Sequence, residues 1–67
     1  MWTVVYIAPT KGVAEKLQDV LATEGLLVKL RSLGLNPERE TGSVEVLVPE
    51  SELDEALEII NSYTGTR

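Results

Sequence analysis

Neither cysteine nor histidine occurs anywhere in the 67-residue chain. The first absence rules out disulfides and a thiolate nucleophile, and the two together remove the usual ligands of structural zinc. A chain this short buries only about 60% of the surface that its unfolded form exposes, so its core is marginal. With both common staples missing, association with another copy is the remaining way to bury more surface, and a homodimer is expected. The lack of histidine also removes the commonest general acid–base group. Ser32, Ser43, Ser51 and Ser62 fall at turns, caps or a helix end with no base nearby in sequence. No enzyme activity, cofactor or metal is expected.

Positive charge is scarce as well. Eleven acidic residues stand against six basic ones, a net charge of −5. Nucleic-acid binding needs cations to displace counterions from phosphates, and no basic stripe supplies them. An anionic membrane surface is excluded on the same ground, because no helical segment has a Lys/Arg-rich polar face. Long hydrophobic runs are missing too: the apolar stretch in "MWTVVYIAPT" stops at Pro9 and has no basic residues before it. It is too short for a signal-peptide core or a membrane span. A soluble protein in the cytoplasm is expected, and the absence of cysteine fits a reducing compartment.

What is present is short and regular. "WTVVYIA" (2–8) is β-branched and aromatic and is closed by Pro9, so it is predicted as a strand. Apolar residues on both of its faces suggest a central place in the sheet. Thr10 is positioned to cap a helix whose stripe is Val13, Leu17, Val20, Leu21 and Glu24, with Gly25 ending it. Lys11, Glu15, Lys16, Gln18, Asp19 and Thr23 form its solvated side. Residues 26–32 and 43–49 alternate as half-buried strands, the second stopped by Pro49. Between them, residues 33–42 hold Gly34, Asn36-Pro37 and Gly42, turn formers in a loop longer than an ordinary hairpin. A last helix is predicted to begin at Ser51 as N-cap, with Asp54 in the capping-box position and a stripe of Leu53, Ala56, Leu57, Ile60 and Tyr63 or Thr64. Residues 1–63 then form one domain and 64–67 a flexible tail.

The order βαββα predicts an α+β domain with a three-stranded antiparallel sheet and two helices on one face, a ferredoxin-like arrangement lacking its last strand. The segments "VVYIAP", "AEKL…VLATEGLLVKLRS" and "VEVLVPESELDEALEII" resemble a family of small bacterial proteins of unknown function, usually labelled prokaryotic signal-transducing proteins. The resemblance runs from about residue 4 to residue 60. It implies a fold like that of the PII nitrogen regulators, in which the loop between strands 2 and 3 is the functional one. By topology that loop is residues 33–42 here, and the PII nucleotide-binding motifs have no counterpart in this sequence. Chains of this kind sometimes carry the name glutamate decarboxylase. That chemistry needs pyridoxal phosphate on a Schiff-base lysine, with a partner for the pyridinium nitrogen and a phosphate cup. Of the three lysines here, only Lys29 is placed to approach a cleft.

Three candidate sites follow. Lys29 and Arg31 share a strand face and Arg39 lies in the loop, so the three either hold an anionic ligand or keep that face solvated, pairing with Glu45 across the strands. Trp2, Val4, Tyr6, Leu27 and Leu47 are expected on the sheet face away from the helices, as a dimer interface. In the competing register, Thr3, Val5 and Ile7 face outward and Trp2 and Tyr6 join the core. The loop itself is either a connector or the contact with a small ligand or protein, with Leu33 and Leu35 available to that contact. Glu50, Glu52, Asp54 and Glu55 are explained by stabilisation of a helix start without a metal. The expected function is a regulatory or interaction module; a glutamate decarboxylase, or a sensor of amino acids or nucleotides, is the alternative.

Overall fold

The computed structural model describes residues 1–33 and 42–64. It is an α+β domain: β1 (Trp2–Ala8), α1 (Lys11–Thr23), β2 (Lys29–Ser32), β3 (Val44–Pro49), a 3₁₀ turn (Glu50–Glu52) and α2 (Leu53–Thr64). The strands form one antiparallel sheet in the order β1-β3-β2. Residues 34–41, with Leu35 and Arg39, and residues 65–67 of the expected 64–67 tail lie outside the described residues, while Thr64 is the last residue of α2.

Both helices cover the same face of the sheet. Val44, Val46 and Val48 of β3 meet Ala14, Leu17 and Leu21 of α1 and Ala56 and Ile60 of α2 in one core, with Ala8 and Leu26 at its margin. Leu17, Leu21, Val46 and Val48 are fully buried. The strand expected at the centre of the sheet is instead an edge: β1 pairs only with β3, which has neighbours on both sides. Its two apolar faces therefore do not mean that the strand is covered twice.

α1 is bounded as its sequence dictates. The Thr10 hydroxyl accepts a hydrogen bond from the Val13 N–H (3.2 Å), satisfying one of the unpaired donors of the first turn. At the other end Gly25 adopts φ +91°, a left-handed conformation that costs other residues about 1–2 kcal/mol. The Gly25 N–H then reaches Ala22 O (2.9 Å) and the Leu26 N–H reaches Leu21 O (3.1 Å). That pair of bonds, with Leu21 and Leu26 both buried, is a Schellman cap.

The cap explains why β2 is shorter than the predicted strand over 26–32. The Leu26 N–H is already bonded to the helix, and the Leu27 N–H donates to Glu52 Oε1 (3.1 Å). Ladder pairing begins only at Lys29. The buried stripe of α1 also differs from the expected one, centring on Ala14, Leu17 and Leu21 while Val13 and Glu24 are exposed. At the start of α2, Ser51 lies inside the 3₁₀ turn and does not act as the N-cap; the residue preceding that turn is Pro49, which makes no side-chain cap bond. Leu57 and Tyr63 are exposed, so the buried side of α2 narrows to Ala56 and Ile60, with Ile59 half-buried.

Candidate interaction surface

The face of the sheet opposite the helices is built by register. β1 and β3 pair as Trp2↔Pro49, Thr3↔Val48 and Val4↔Leu47, then as Tyr6↔Val46, Ile7↔Glu45 and Ala8↔Val44. Two residues of β1 are spent on one of β3 at this step, a β-bulge at Val5. The bulge inverts the alternation beyond it. Tyr6, expected to face outward beside Trp2 and Val4, instead pairs with core-facing Val46 and packs half-buried against the core. Ile7 takes the outward position. Trp2 and Val4 do face outward.

The outer surface is thus made by Trp2 and Ile7 of β1, 42% and 55% exposed, with Val4 between them at 37%. Leu47, on the central strand, is only 5% exposed because it lies between its register partners Val4 and Lys29. Leu27 stands 61% exposed between Leu26 and Val28, which both pack on the core. The leading register left Ile7 out and the competing one turned it outward with Tyr6 inward; the bulge makes the first hold for Trp2 and Val4 and the second for Tyr6 and Ile7. The period-two pattern of "TVVYIA" carries no mark of the extra residue, since every position in it could be spent on either face.

The cations of this face are already engaged. Arg31 donates from Nε to Glu45 Oε1 at 2.7 Å and places Nη2 2.6 Å from the same oxygen. Lys29 Nζ lies 5.3 Å from the centre of the Trp2 ring, so β3 is spanned by a cation–π contact between the two edge strands. Lys29 and Arg31 are therefore neighbours on one face, each turned to a partner within the sheet and not toward each other. Arg39, the third member of the proposed anion site, lies outside the described residues. Two of the open clefts lined by described residues lie on the helix side. One, about 530 Å³, is lined by Thr10, Gly12, Val13, Lys16 and Tyr63. The other, about 480 Å³, is lined by Glu24, Glu58, Ile59, Asn61 and Ser62. Neither includes Lys29 or Arg31; the lysine that lines one of them is Lys16, and not Lys29 as expected, because Lys29 lies on the outer face of the sheet over the Trp2 ring.

Charge is divided between the two layers. Glu15, Asp19, Glu24, Glu50, Glu52, Asp54, Glu55 and Glu58 belong to the helices and their ends, against Lys11 and Lys16 alone. The strands carry Lys29, Arg31 and Glu45. The helix layer is strongly acidic, and the outer face of the sheet is apolar and close to neutral.

Among the described residues no group of three or more carboxylates is arranged to hold a metal ion, and no helix is long and apolar enough to cross a membrane. Compared with protein-family models, with curated proteins and with solved structures, the chain gives no match.

Proposed function

We propose that this protein is a non-enzymatic interaction module, of the regulatory kind, whose working surface is the outer face of its sheet. The observation that carries this reading is the contiguous exposure of Trp2, Val4 and Ile7 on the side away from the helices. A folded domain gains nothing from displaying an indole and two β-branched side chains together to water, and such patches mark interfaces. The strand order β1-β3-β2 is compatible with a ferredoxin-like sheet that lacks its last strand. In that arrangement the segment between β2 and β3 is a second place for a small ligand or protein to act, by analogy with the PII regulators.

The composition supports a role outside catalysis, because the chain has no histidine or cysteine to carry proton transfer or nucleophilic attack. A decarboxylase working through pyridoxal phosphate does not fit these residues. Lys11, Lys16 and Lys29 are all exposed, and Lys29 has a ring beside it but no free carboxylate, since Glu45 is held by Arg31.

The test is photo-crosslinking in living cells that make the protein, with the reactive side chain placed either at Ile7 or at Asp19 on the exposed side of α1. Adducts from position 7 and none from position 19 are expected. No adduct from position 7, or equal yields from both positions, would remove the outer face as the working surface.

A further inference from the structure

We infer that the occupant of the outer face is a second copy of this chain, packed sheet to sheet across a two-fold axis. The inference rests on the interaction-module reading and adds the partner. Its first support is charge. Two chains of net charge −5 repel each other, and most of that charge lies in the helix layer. The outer face is where a like-charged copy can approach, because Glu45 is neutralised by Arg31 and Lys29 rests over the Trp2 ring. An acidic partner would find a single uncompensated cation there, and a basic partner would be drawn to the helices.

The second support comes from the edges of the sheet, the other route by which sheets associate. β2 presents four residues, two of them Lys29 and Arg31, and charged short edges resist pairing. β1 is longer and uncharged, but its bulge at Val5 breaks the ladder in mid-strand. Both edges are blunted and the face is not. Size limits the strength of the pairing. Strand spacing and rise make the face roughly 20 by 14 Å, about 280 Å² per copy and about 560 Å² for the pair. That is below the range of stable interfaces, so the dimer is weak and reversible and forms only as the concentration of the chain rises.

Sedimentation equilibrium of the full chain, from low micromolar to near-millimolar concentration, tests this. The weight-average mass should climb from 7.3 kDa toward twice that value. Ile7→Lys should weaken association by about tenfold or more, and Leu57→Lys, on the exposed side of α2, should leave it unchanged. Should Ile7→Lys fail to fold by circular dichroism, Leu27→Lys, outside any strand, should give the same loss. A mass fixed at one chain, or outer-face variants that associate like the parent, would overturn the dimer. In that event, crosslinks from position 7 to proteins of other mass would leave the interaction module standing with a foreign partner. No crosslinks would end both.

Discussion

The two faces of β3 differ more than their sequence does. Val44, Val46 and Val48 look toward the helices and are lost to solvent entirely or nearly so, while Glu45 and Leu47 look the other way among exposed neighbours. On the helix side, burial is completed inside one chain. On the outer side, Leu47 is covered only by what its flanking strands can lend it, and Trp2, Val4 and Ile7 around it are left partly wet. In so small a domain, apolar content alone therefore does not identify core; the layer against which a residue packs does. β1 makes the point by itself, since its apolar residues serve a finished core on one face and an unfinished surface on the other.

That contrast can be broken by substitution. The largest effect is expected at Leu17, fully buried between the layers: Leu17→Ala should cost about 2–5 kcal/mol in urea unfolding, a large share of the total stability of a chain this short. Ile7→Ala, measured in dilute solution, should stay within about 0.5 kcal/mol of the parent. Similar losses at both positions would erase the distinction between the faces. Next comes the bulge, which exchanges the roles of two adjacent residues. Tyr6→Ala should destabilise by about 1–3 kcal/mol, well beyond Ile7→Ala, and the reverse order would mean that the register beyond Val5 is wrong. At Gly25, substitution by Ala meets no neighbouring atom within 4 Å, so its cost is conformational, about 1–2 kcal/mol, and insensitive to chain concentration. The smallest effect belongs to Glu45→Gln. It breaks an ion pair whose arginine is largely exposed, and the loss should be under about 1 kcal/mol and shrink as salt is added.

Much of this architecture was legible because local signals agreed with one another. Thr10, Gly25 and Pro9 mark their boundaries through hydroxyl capping, tolerance of positive φ and the missing N–H, effects that act within a few residues. The element order and the placing of both helices on one face followed from the same cues. The errors came from non-local bonds. Nothing in "LLVK" reveals that the Leu27 N–H is taken by Glu52, 25 residues further on, and so nothing shortens β2 in advance. Nothing in "TVVYIA" shows that Val5 is surplus, because a bulge is a property of the pairing and not of one strand. The interface residues inherited that error: Trp2 and Val4 precede the bulge and lie where alternation puts them, whereas Tyr6 and Ile7 follow it and are exchanged. The placing of β1 at the edge was likewise hidden, since an apolar edge strand with one face partly exposed has the same composition as a strand buried on both.

The single tryptophan stands on the surface at issue, and its emission gives the most direct test of the claim that this face is built to be covered. Quenching of Trp2 by acrylamide should fall, and its emission move to shorter wavelength, as the concentration of the chain rises, with neither change in Ile7→Lys. Quenching that stays constant from micromolar to near-millimolar protein, with the indole as accessible at the end as at the start, would contradict the account.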